Sequence, residues 1–364
     1  MRKIESTSRN YSPRAALRCG RLNAFPSDEK AFAAGAWFLG INGNKRAAKY
    51  AEENGLAITK SQGEGINTSG GFVVPDEIMR TIIALRETRG AFRATASIVP
   101  MGSDSINIPR RTTGLTAYFT AENSALIESD ASWGAVGLVA KKLATLTRSS
   151  SELDEDAAID FGEWFVTEIA YAFASKEDDC GFNGDGTSTY GGTRGVTKLL
   201  IDSNHDAGKV IAATGHDTFA EIDGTDLANL MAKLPAFALP GARWFCSQMG
   251  YALVFCRLAM SSGGITMQPV NGRMLPHFQG FPVQVSQVLP QTTGDLSGSV
   301  MLMFGDMALA AALGERRGVT VARSDKRYVD TDQILWRGTE RVDVNVHDLG
   351  DNATAGPIVG LVGE

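Results

Sequence analysis

Four histidines, His205, His216, His277 and His347, are the side chains best placed to move protons near neutral pH, yet their spacing writes no familiar catalytic pattern. None belongs to H-E-x-x-H, which would set two imidazoles on one helical face to hold zinc. No Gly-x-Ser-x-Gly elbow presents a nucleophile. No Gly-Lys-Ser/Thr follows a loop whose amides could cradle phosphate. Gly184-Asp185-Gly186 and Gly63-Glu64-Gly65 open dinucleotide fingerprints, but Thr189 and Thr68 stand where the third glycine must allow close packing. Asn183 and Asp185 resemble calcium ligands in a loop from Asp179, yet Gly181 takes the third ligand position and Tyr190 the place of the bidentate glutamate. Asn183, Gly184, Asp185 and Gly186 read instead as tight turns, because Asn, Asp and Gly tolerate positive φ.

Cys19, Cys180, Cys246 and Cys256 form no C-x-x-C pair and give no zinc or disulfide framework, so each reads as an ordinary thiol of a reducing compartment. Carboxylates cluster at Glu152, Asp154, Glu155 and Asp156 and again at Glu177, Asp178 and Asp179. Flanking one long apolar pattern, they read as solvated or interface groups. No catalytic residue, metal site or cofactor is expected.

The elements carrying these residues can be read from periodicity. Ser27 caps a helix over 28–40, where Asp28 and Glu29 suit the positive helix start. A second helix spans Lys45 to Asn54 and stops at Gly55. Residues 59–71 are polar and Gly-rich, a linker. FVVP at 72–75 is a short strand, and Asp76 to Glu87 has helical spacing. Ile106 and Ile108 alternate with polar neighbours from Ser105 onward, and strands are expected at Thr116–Thr120 and Trp133–Arg148. Between them lies the charged stretch 121–132. These strands make an extended hairpin too poor in apolar residues to hold itself, so it is expected to lie on another surface, a second subunit included.

Ile159, Gly162, Phe165, Val166, Ile169, Ala172 and Phe173 then mark the clearest helix, which Gly181 is expected to end. Helix and strand alternate afterwards: a helix at 226–234, strands at 242–247, 281–288 and 300–304, and a helix at 248–260. The stretch 318–346 is strand-rich, and no internal repeat is found.

The chain has 364 residues with 43% apolar and 21% charged, enough for a substantial core and too apolar for a disordered polyelectrolyte. Its longest apolar patch, 31–41, is too short to span a bilayer, and no secretory signal precedes it. The net charge of -6 hides an asymmetry: residues 1–60 hold eleven Lys/Arg and five acids, net +6, leaving -12 for the rest. A basic arm on an acidic body points to an anionic partner, or to a helix with a solvated basic face.

The order GGFVVPDEI (70–78), SINIPRRTTGLTAYFTAENSALIESDASWGAVGLVAKKLATLTRSSSELDEDAAID (105–160), EDDCGFNGDGTSTYGG (177–192), FQGFPVQVSQVLP (278–290) and FGDMALAAALGERRGVTVARSD (304–325) resembles the major capsid proteins of tailed bacteriophages with the Hong Kong 97-type fold. The combination of an extended hairpin, a long helix and Phe-Asn-Gly-Asp-Gly-Thr carries the likeness over about 70–350.

The resemblance implies an α+β fold with an N-terminal arm (1–71), an extended E-loop hairpin (105–150), a spine helix (about 154–180) and an axial domain (205–313). A peripheral domain would combine 72–104, 151–204 and 314–350, with 351–364 as a C-terminal tail. It implies self-assembly as hexamers and pentamers into an icosahedral shell around double-stranded DNA, held non-specifically. A portal and scaffold or decoration proteins would be further partners, without a membrane. The place would be the virion capsid, assembled in the bacterial host cytoplasm.

Some relatives crosslink through a lysine at the E-loop tip. Ile127 stands there in this chain, and Lys141 and Lys142 lie further along the strand, so locking is expected to be non-covalent. Glu122, Glu128 and Asp130 are expected to meet basic residues of neighbours, with Arg110, Arg111 and Arg316 as the candidates. A retained arm, rather than a removable scaffolding segment, is expected over 1–71. Two alternatives stay open: an encapsulin-like cargo compartment of the same fold, and a soluble α/β enzyme with a spatially assembled site.

Overall fold

A computed structural model describes residues 24–25, 27–41, 43–58, 71–111, 117, 119, 133–150, 158–262, 267–270, 273–324 and 333–364. The chain divides into two compact units, one of 1–94, 142–178 and 317–341, the other of 95–141, 179–316 and 342–364.

The first unit is built around a helix that is apolar on every side. Asp28–Ile41 starts at Ser27, whose hydroxyl accepts from the Lys30 amide, and residues 31–39 are all buried. A surface helix would bury one stripe; this one must be surrounded. Trp37 and Phe38 stack edge-on, and Phe38 also meets Phe165 and Trp336. Lys45–Glu53 follows, capped by Asn44, with Ala47 and Ala51 buried. Gly55 takes φ +84° to end the turn, as expected. The segment read as an arm is therefore, over 24–58, part of the core together with Ile78, Ile82, Ile169, Phe173, Val319 and Val321. The linker 59–71 lies outside the described residues, save Gly71.

Around this core stand Asp76–Arg89, the long helix Ala158–Asn183 and a sheet ordered Gly71–Val73, Ala311–Ser324, Gln333–Val346, Lys141–Ser150. The long helix does not stop at Gly181. It runs to Asn183 because Phe182, fully buried, anchors another turn.

The second unit holds a seven-stranded sheet ordered Lys209–Ile211, Ile358–Val362, Val300–Gly305, Arg243–Cys246, Phe281–Val285, Arg273–Phe278, Met267–Val270. Gly224–Lys233 and a helical stretch over 248–262, with a π-helical middle at Tyr251–Cys256, pack onto it around Trp244, Phe255, Phe304 and Leu361. Here the expected C-terminal tail is corrected. Ile358–Val362 is buried throughout, antiparallel to Val300–Gly305 on one side and parallel to Lys209–Ile211 on the other.

A two-stranded ladder pairs Ser105–Arg111 with Trp133–Val139. The single strand expected over 133–148 breaks at Ala140, and Lys141–Ser150 joins the sheet of Gln333–Val346 instead. Of the expected strand 116–120, Ala117 and Phe119 are described, and neither is in a strand.

Candidate functional site

The hairpin root is the best-defined feature of the expected contact machinery. Its ladder runs from Ser105 opposite Val139 to Arg111 opposite Trp133. Val136 and Leu138 are buried, Ile106 and Ile108 half-buried, and the intervening Asn107, Pro109, Ala135 and Gly137 face outward. One face therefore packs, on Met101 and Ala312, and one face is wet.

Polar ties fix this root to its own chain. Arg110 pairs with Asp348 at 3.0 Å and donates to the His347 carbonyl. Asp343 accepts the Val139 amide at 2.8 Å and the Lys141 ammonium at 3.3 Å. Asn345 donates to the Gly137 carbonyl at 2.8 Å. Arg316 reaches Asp104 at 3.1 Å and the Gly102 carbonyl at 2.9 Å. Burial lowers the pKa of the His347 ring, and the Arg110 cation beside it adds to that.

Arg110 and Arg316, expected to receive a neighbour's acids, are thus engaged by Asp348 and Asp104, carboxylates the fold brings within reach in their own chain. Arg111 sits in the ladder, and Lys142 is exposed at the start of its strand. Glu122, Ile127, Glu128 and Asp130 lie outside the described residues.

The turn after the long helix is tighter than its composition alone requires. Asn183 is the last helical residue, not a positive-φ residue, and its amide donates to the Val288 carbonyl at 2.7 Å. Only Gly186 of the four adopts positive φ, +86°. A Cβ at Gly184 would lie 2.6 Å from both the Cys180 and Thr193 carbonyl oxygens, so glycine is required there for close approach. Asp185 accepts the Thr187 amide at 2.8 Å, and hydrogen bonds from the Thr187 hydroxyl and then from its amide hold the Asp185 carboxyl below the usual range.

Sequence reading missed a buried charge cluster in the first unit. Arg86 binds Glu340 with two nitrogens, at 2.6 and 3.0 Å, and also Glu177. Arg93 reaches the same Glu177 oxygen at 3.1 Å, while Asp178 accepts the Ala91 and Phe92 amides at 3.0 and 2.9 Å. The Arg86 guanidinium also lies over the Phe173 ring, 5.8 Å from its centre. Glu177 and Asp178, expected as solvated or interface groups, are only 2% and 4% exposed within the chain itself. The one available signal was Arg86 within an apolar helical pattern, a cation that must find acids once buried.

Among the described residues, His216, Asp223 and Asp226 form a group close enough to offer metal ligands. Its geometry is that of a helix start. Asp223 accepts from the Thr225 and Asp226 amides, and the Asp226 carboxylate accepts in turn from the Asp223 amide, a capping box. His216 donates to Asp226 at 2.6 Å, and that bond raises the imidazole pKa. His205 pairs likewise with Asp202 at 2.7 Å within a turn. Both His–Asp pairs thus have local structural work.

A model of the phage capsid family matches residues 70–349. The chain belongs to that family. The match takes in the hairpin root, the long helix and both long strands. The major capsid protein of Klebsiella oxytoca phage phiKO2 is 23% identical over 331 residues, covering 86% of this chain and 73% of that protein. The capsid of an empty GTA particle superimposes with a TM-score of 0.56 at 20% identity, over 86% of this chain and 97% of that one. The Mycobacterium phage Bobi structure gives 0.53 at 18% identity, over 84% and 96%. The holo-SrpI encapsulin complex of Synechococcus elongatus gives 0.50 at 9% identity, over 73% and 84%. The fold is the Hong Kong 97 type expected, and among these the GTA particle and Mycobacterium phage structures superimpose better than the encapsulin.

Proposed function

We propose that the chain is the major shell tile of a tailed phage, assembling as hexamers and pentamers around double-stranded DNA and locked without covalent crosslinks. The observation that carries this is the family match over 70–349, in a chain whose hairpin is bound at its root and is too sparse in apolar residues to be stable alone. The ladder belongs to the E-loop of 105–150, and the seven-stranded sheet to an axial domain that takes in 205–313 and the terminal strand. The peripheral domain gains the helices of 24–58.

The charge asymmetry sharpens the roles of the N-terminal residues. Within 24–58 four cations and four acids cancel, so the excess of +6 resides in 1–23 and Lys60. Residues 1–23 are the segment that contacts DNA, by non-specific attraction to phosphate. Residues 24–58 stay with the shell, because cleaving them away would open the core around Trp37 and Phe38. A portal, and scaffold or decoration proteins acting in trans, complete the assembly in the host cytoplasm.

The encapsulin alternative shares the fold and not the genome. Nuclease-treated particles recovered from infected or induced cells separate the two. Double-stranded DNA protected inside supports the phage reading, and protein cargo without nucleic acid contradicts it.

A further inference from the structure

Five charged side chains meet in the interior of the first unit, and none is more than 4% exposed: Arg86, Arg93, Glu177, Asp178 and Glu340. They come from four segments. Arg86 stands near the end of the helix Asp76–Arg89 and Arg93 in the connector after it, Glu177 and Asp178 on the long helix, and Glu340 on the strand Gln333–Val346. Their bonding is uneven. Glu340 takes both terminal nitrogens of Arg86, while a single oxygen of Glu177 takes Arg86 and Arg93 together. The other Glu177 oxygen is buried with no hydrogen-bond donor among the described residues. Asp178 faces the backbone instead and accepts the Ala91 and Phe92 amides.

The charges of this cluster do not balance. With every group ionised, three carboxylates against two guanidinium groups leave one excess negative charge. An uncompensated charge in a dry interior is costly, and a carboxyl relieves it by keeping its proton. Burial acts in this way on Glu340, pushing its carboxyl up to about 8 against the pull of Arg86.

The cluster also has a particular place along the chain. The first unit gives way to the second after residues 94, 178 and 341. Arg93, Asp178 and Glu340 each lie within one residue of one of these exits. The three outgoing segments are therefore tied to one another, on the side of the first unit, through a single set of buried charges. We propose that this cluster is a proton-loaded clamp on the three outgoing segments, closed while one carboxyl keeps its proton and loosened when that proton leaves. The apolar core of the same unit, around Trp37 and Phe38, stays packed when the clamp loosens. The clamp is a property of the single chain and stands apart from the shell reading.

Hydrogen–deuterium exchange of the full-length chain as a free subunit, read by mass spectrometry at pH 6 and pH 9 and scaled for the intrinsic rate at each pH, tests this. Protection in peptides spanning 86–94, 174–180 and 336–342 should fall about tenfold, the factor that one pH unit above about 8 supplies. At both pH values these peptides should exchange faster than 31–39, because the segments open before the core does. Residues 301–304 of the second unit should keep their protection. Glu340→Gln keeps an acceptor for Arg86 but cannot titrate, and should abolish the pH dependence at all three segments. Protection there that ignores pH, that falls equally at 301–304, or that matches 31–39 at each pH overturns the proposal. A pH dependence that survives in Glu340→Gln overturns it too. If that variant does not fold, the wild-type comparison decides alone. Failure to form particles would contradict the shell reading and leave the exchange result as it stands.

Discussion

Arg86 holds Glu340 with both terminal guanidinium nitrogens, at 2.6 and 3.0 Å, although 254 residues separate them. The pair is almost wholly buried and joins the helix Asp76–Arg89 to the strand Gln333–Val346, while Glu177 brings in the long helix. Removing Arg86 takes away the donor shared by Glu340 and Glu177 and leaves buried carboxyl groups short of a partner, a class of change that typically costs about 3–5 kcal/mol. Arg86→Met should therefore lose that much stability in urea denaturation of the isolated subunit, and Glu340→Gln distinctly less, because glutamine keeps an acceptor for Arg86. Equal losses would show that shape, not charge, is what the site requires.

The same cluster gives stability a pH dependence. Burial pushes the Glu340 carboxyl up to about 8, with Arg86 pulling it down and Glu177 pushing it further up. An unfolded glutamate titrates near its ordinary value, so the folded chain holds an extra proton between that value and about 8. The stabilisation is complete below the ordinary carboxylate range and disappears as pH rises through about 8. Urea midpoints should fall between pH 6 and pH 9, and Glu340→Gln should flatten the fall.

Trp37 is fully buried within a helix that is itself surrounded, and its indole donates to the Ala57 carbonyl at 3.3 Å. Trp37→Ala should cost about 3–5 kcal/mol by opening a cavity. Deleting 2–22 should leave a folded, assembling subunit that retains less DNA at raised salt. Deleting 2–58 should leave insoluble protein. Soluble, assembling subunit from the longer deletion would return this segment to the status of a detachable arm.

Gly184 lies where a Cβ would meet two backbone oxygens at 2.6 Å, so Gly184→Ala must shift backbone rather than a side chain. Its melting temperature should drop by several degrees, whereas Gly102→Ala, with open space around the glycine, should not change it.

Much of this architecture was legible in the chain, and the misses have physical causes. The long helix announces itself through period and length; the alternation at Ile106 and Ile108 marks a strand, but the hairpin partner of 133–139 is this strand and not the expected 116–120. The all-apolar run 31–41 was read as too short for a membrane, yet a helix apolar on every side has only one other home, a core. The resemblance implies a tail over 351–364, and the short run Ile358–Val362, four apolar residues and a glycine, carries no period to contradict it; only pairing on both edges makes it a strand inside the sheet. The break at Ala140 leaves no mark because both halves suit a strand. Among the proposed contacts, Arg110 and Arg316 looked available until the fold brought Asp348 and Asp104 beside them, a proximity that sequence separation conceals.

Non-covalent locking has a direct readout. With Ile127 in place of a crosslinking lysine, boiled and reduced particles should run as one band of monomer size. A ladder of multimers would show a covalent bond between subunits.

As a shell tile, this chain should close a shell with copies of itself. Electron microscopy of the protein expressed and purified under native conditions measures that most directly. Closed icosahedral particles, or capsomers that convert to them, are the expected result, with protein density continuous from tile to tile. A monodisperse monomer or small oligomer that forms no particles across salt and pH would contradict it.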